Sequence, residues 1–81
     1  MITAHQTRAA RALLGWTQEM LADRAAVSLT ALKRMESVNG ERVYESTVDR
    51  VRRALEAEGI VFIHSDRHIG VMLDVREAAR R

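Results

Sequence analysis

Of the side chains in this sequence that can do chemistry, the guanidinium is the most numerous, though 11 carboxylates nearly balance it and Arg richness alone carries little weight. Twelve of the 13 basic residues are Arg, and Lys33 is the only lysine. A guanidinium offers a rigid fork of donors that matches phosphate and the guanine edge, whereas an ammonium is a point charge. Lys33 and Arg34 stand side by side, shortly after Ser28, Leu29 and Thr30. Catalytic groups are sparse by contrast. There is no Cys, no Gly-rich phosphate loop and no clustered pair of acids. Ser28 and Ser46 sit where helices begin and read as caps rather than nucleophiles. His64 and His68 flank an expected turn, but two histidines without a third ligand make a poor metal site. His5 does not supply the third. An enzyme is not expected, nor is a metal or a cofactor.

The elements that must position these residues form one domain, given 81 residues. A chain of this length buries a modest core, so oligomerisation is a reasonable expectation. The net charge of +2 and a pI of about 9.9 permit a nucleic-acid partner without requiring one. The absence of Cys fits a reducing compartment. No apolar run approaches the ~18 residues that span a bilayer. MITAHQTRAARALLGW lacks the continuous apolar stretch of a signal peptide. A cytoplasmic protein with no membrane partner is expected.

Thr3 and Gln6 form a capping-box pattern that opens a first helix, closed by Gly15. Thr17 caps a second helix at 18–25, Ser28 a third at 29–37, and Asn39-Gly40 marks the turn after it. Ser46 with Asp49 opens a fourth, with Val48, Val51 and Leu55 on one face and Gly59 at its end. Beyond it the period changes. Ile60-Val61-Phe62-Ile63 and Val71-Met72-Leu73 read as two strands joined by HSDRHIG. The expectation is a mainly α fold: four helices over 1–59, a β-hairpin over 60–74, and a polar, frayed tail over 75–81.

In TQEMLADRAAVSLTALKRME, Leu21, Ala22 and Ala25 give one helix an apolar face, and Leu32 and Met35 do the same for the next. Ala22 is small where crossing helices approach, and Val27 fills the corner. A tight connection of this kind holds two helices at a steep angle, so that the second can project outward into a DNA major groove. LLGWTQEMLADRAAVSLTALKRME resembles the Cro and repressor-type helix-turn-helix regulators, the XRE family, over about residues 5–60. The shared features are the Leu-Gly-aromatic-Thr-Gln start, the Leu-Ala of the second helix, the small-residue turn before Val-Ser, and the Met-Glu ending the third. Ala26 departs from the family, which usually has Gly there for a left-handed turn. An L side chain in that conformation costs about 1–2 kcal/mol.

The resemblance implies a Cro-like, DNA-binding transcriptional regulator, a repressor or autoregulator of bacterial, phage or mobile-element origin. It would bind a double-stranded, palindromic operator. It also sorts residues into roles. Ser28, Leu29, Thr30 and Arg34 would read bases, Arg34 bidentate to guanine. Thr17, Gln18, Lys33, Ser37 and Arg42 would meet phosphates, Gln18 from a helix N-terminus. Glu36 would pair with Arg11 as a structural clamp between the first and third helices. Trp16 is expected in the core.

The hairpin run is apolar on both faces, because Ile60 and Phe62 alternate with Val61 and Ile63. A greasy face on a monomer invites pairing. Ile60, Val61, Phe62, Ile63, Val71, Met72 and Leu73 are therefore the expected homodimer interface, the competing reading being that the hairpin simply closes the monomer core. Such a dimer would read half-sites about 34 Å apart. The alternative is an antitoxin-like or protein-interaction subunit. Its strands would hold a toxin or second regulator, and DNA binding would be secondary.

Overall fold

The structure, a computed structural model, describes residues 2–78. Its elements in chain order are α1 (Ala4–Leu14), α2 (Gln18–Ala25), α3 (Leu29–Met35), α4 (Glu45–Ala57), β1 (Ile60–His64), β2 (Ile69–Leu73) and α5 (Val75–Ala78). It is a mostly helical domain with a two-stranded antiparallel sheet.

Local chemistry accounts for most of the boundaries. The Thr3 hydroxyl accepts from Gln6 N at 3.1 Å while Thr3 N donates to Gln6 Oε1 at 2.9 Å, a reciprocal capping box. Gly15 ends α1 in the left-handed region (φ 69°). Thr17 and Ser28 cap α2 and α3, accepting from Met20 N and Ala31 N at 3.1 and 3.0 Å. Two boundaries differ from expectation. α3 ends at Met35 with Glu36 as its C-cap, rather than running to 37. α4 begins at Glu45 behind Tyr44, which supplies no side-chain cap, so Ser46 is inside the helix. Asp49 is drawn to Arg52 and Arg53 instead of capping.

The core gathers Leu21, Ala22 and Ala25 from α2, Leu32 and Met35 from α3, and Val48, Val51 and Leu55 from α4. Ala10 and Ile60 complete it. Burying each of the larger of these side chains stabilises by about 1.5–3 kcal/mol. Trp16 packs against this cluster only half-buried, with the Arg24 guanidinium 5.1 Å from its ring centroid.

In the hairpin, Ile60 pairs with Leu73, Val61 with Met72, Phe62 with Val71 and Ile63 with Gly70. Opposed residues share a face. Ile60, Phe62, Val71 and Leu73 therefore point inward, and Val61, Ile63 and Met72 outward. Within the tail expected over 75–81, residues 75–78 form a helical turn. Asp74 Oδ1 accepts from Arg76 N at 3.0 Å at its start. Residues 79–81 of the expected tail lie outside the described residues. Among the described residues no helix is long and apolar enough to cross a membrane.

Candidate nucleic-acid interface

The connection between α2 and α3 is short because Ala26 takes the left-handed conformation, φ 56° and ψ 44°. Ala26 N donates to Asp23 O at 3.2 Å and Val27 N to Ala22 O at 3.0 Å, so the end of α2 is closed before Ser28 starts α3. With Leu32 and Met35 buried, the opposite face of α3 is turned to solvent. Thr30, Lys33 and Arg34 are exposed there, as is Ser28, while Leu29 is half-buried.

The far end of α3 is tied to α1. Arg11 Nε donates to Glu36 Oε2 and Arg11 Nη2 to Glu36 Oε1, both at 2.8 Å, a bidentate pair with the Glu36 side chain only 2% exposed. Gln18 Nε2 donates to the same carboxylate at 3.0 Å. Arg8 donates to the Glu36 carbonyl, and its other amino group lies 2.8 Å from His5 Nδ1. Arg11 Nη1 also reaches Trp16 O at 3.2 Å. Two guanidiniums of α1 and one amide of α2 thus converge on one residue and fix the α3 terminus.

Beside α3 lies an open groove of about 750 Å³, walled by the α2–α3 turn, α3, residues 42–44 and the first turns of α4. Arg34, Arg42 and Arg50 line it together with Thr30, Tyr44 and Thr47, and among the described residues no carboxylate does. Three guanidiniums around one concavity make a surface suited to a polyanion. The expected base-reading residues Ser28, Thr30 and Arg34 line this groove, as does Arg42; Leu29 and Lys33 do not.

The expected phosphate group is less uniform. Part of the Gln18 amide is engaged by Glu36, leaving its second N–H and the helix N-terminus. The Thr17 hydroxyl accepts its cap bond, and the Ser37 hydroxyl accepts from Asn39 N at 3.1 Å. Tyr44, 82% exposed, and Arg50 were not among the residues singled out from the sequence. Neither carries a local signal, because an exposed Tyr and an Arg on a charged helix face are common. On the far side of α4, the hydrogen bond to Asp49 and the charge of Glu56 raise the pKa of Arg52 above its ordinary value. That acid–base ladder is separate from the groove.

The hairpin separates the residues expected at a dimer interface. Ile60 is 2% exposed, and Phe62, Val71 and Leu73 pack on the core, so these four are occupied within one chain. Val61 and Met72 stay outward at 44% and 53%, with Ile63 half-buried beside them. His64 and His68 are exposed at the turn, where His68 N donates to Ser65 Oγ at 3.1 Å. The chain matches no protein-family model and no curated protein.

Proposed function

We propose that this chain is a sequence-specific DNA-binding transcriptional regulator, similar to the Cro and repressor-type helix-turn-helix proteins of the XRE family. It acts as a repressor or autoregulator and binds a palindromic operator as a homodimer. One juxtaposition carries the reading: the exposed α3 face with Thr30, Lys33 and Arg34 borders a groove that Arg34 and Arg42 line and that, among the described residues, no carboxylate lines. Seven residues of helix are about 10 Å long, and the major groove, about 12 Å wide, admits a helix.

In this reading Arg34 pairs with guanine O6 and N7, and Thr30 meets a base edge or a thymine methyl. Lys33 and Arg42 neutralise phosphates on either side. The Arg11–Glu36 clamp keeps an acid that would repel phosphate turned into the protein. Two outward hairpin strips, each built on Val61 and Met72, join the subunits. A bound protein of this kind excludes others from the same groove, which is repression by steric competition.

Selection of bound fragments from a random duplex pool, followed by anisotropy titration at several salt concentrations, tests the proposal. A palindrome with half-sites one helical turn apart, and a log K that falls steeply with log salt, are expected. Shallow, sequence-blind binding would defeat it and turn attention to the hairpin strip as a surface for a second protein.

A further inference from the structure

Ala26 is the one non-glycine residue with positive φ among the described residues. Its carbonyl accepts from Arg50 Nη1 at 3.2 Å, a bond that crosses 24 positions and ties α4 to the turn. Ala26 and Arg50 stand on the groove wall with Arg34. Because Ser28 caps α3 two residues beyond, any rotation of the peptide after Ala26 re-aims the whole of α3.

We infer that Arg50 is a positioning residue for DNA recognition: its guanidinium holds the left-handed Ala26 turn and so fixes the direction of α3. The inference rests on the DNA-binding reading and adds a residue that acts through the turn rather than by touching a base. An alanine in this region is disfavoured against its relaxed conformations. Without an external restraint, part of the population leaves the turn that DNA requires. The apparent affinity then falls in proportion to the competent fraction. Glycine at position 26 carries no such steric penalty, so it should make the restraint dispensable.

Four proteins decide the matter: the unaltered chain, Arg50→Ala, Ala26→Gly, and the double variant. Arg50→Ala is expected to weaken operator binding about threefold, and less than about 1.5-fold when residue 26 is Gly. The difference between backgrounds is the signature. If Arg50 acted by touching a phosphate, its loss would cost the same in both backgrounds and flatten the salt slope by about one; that result overturns the inference. So does an Arg50→Ala protein that binds like the parent.

Amide exchange at Val27, whose N–H closes α2 on Ala22 O, gives a readout that needs no DNA. It should speed up in Arg50→Ala and return to the parent rate in the double variant. If none of the four proteins binds duplex DNA, the operator reading fails. Exchange at Val27 then decides alone, and an unchanged rate in Arg50→Ala refutes the role given to Arg50.

Discussion

Glu36 shows how a single residue can carry the wrong charge for its place and still serve it. In the proposed DNA-binding reading an acid at the end of α3 would face incoming phosphates, yet its carboxylate is held by Arg11 and Gln18 inside the protein. Removing one partner of a buried, doubly hydrogen-bonded pair strands the other. Glu36→Ala should therefore destabilise by about 3–5 kcal/mol, toward the lower end because Arg11 is 19% exposed. Urea denaturation checks this, and a midpoint equal to the parent's would refute the clamp. Replacing both partners, Arg11→Met with Glu36→Leu, should cost less than the two single changes added together. At Ala26 the direction reverses. Relief of about 1–2 kcal/mol of left-handed strain, less the extra unfolded-state freedom of glycine, about 0.4–1 kcal/mol, predicts that Ala26→Gly melts higher. The net gain should be of order 0.5–1 kcal/mol.

Among the elements, α1 and the hairpin are joined by a residue whose second duty is not local. Gln6 belongs to the capping box of α1, and a Thr and a Gln three apart announce that much. Its Nε2 also donates to Ile63 O and Gly70 O, both at 3.0 Å, from 57 and 64 positions away. No spacing rule reaches so far. At 2% exposure those bonds form away from water, so Gln6→Ala should cost about 1–3 kcal/mol. It should also speed hairpin amide exchange more than exchange in α4, and uniform acceleration would count against a clamp.

Legibility followed the same division. The caps at Thr17 and Ser28 could be read because a few adjacent residues decide them, whereas a left-handed turn at Ala26 is implied only by the family resemblance, in which Gly usually stands there. The start of α4 could not, since Tyr44 offers no capping oxygen while Ser46 and Asp49 imitate a cap. In the hairpin every position of Ile60–Ile63 is apolar, so period two marks a strand without marking its inner face. Only packing on the helices chose Ile60 and Phe62. The groove arginines come from α3, the loop and α4, and are brought together by tertiary packing alone.

At the scale of the whole molecule, size bears on how many chains the proposed operator would need. The chain measures 34 × 32 × 19 Å and carries one α3. Two recognition helices about 34 Å apart, the separation of half-sites one turn apart, therefore call for two chains side by side. The outward strip of the hairpin can be made polar without undoing the fold, because Val61 and Met72 are paired directly across the strands. Val61→Lys with Met72→Glu puts opposite charges in register, a cross-strand pair that supports the hairpin. In the proposed dimer the same change would remove the apolar contact between subunits. The double variant should melt close to the parent and sediment as a monomer. It should bind the palindrome at least about a hundredfold more weakly, since each half-site then loses the effective concentration supplied by its neighbour. Retained dimerisation in that variant would move the subunit contact away from this strip. A parent that is monomeric while protecting both half-sites would remove the need for the strip altogether.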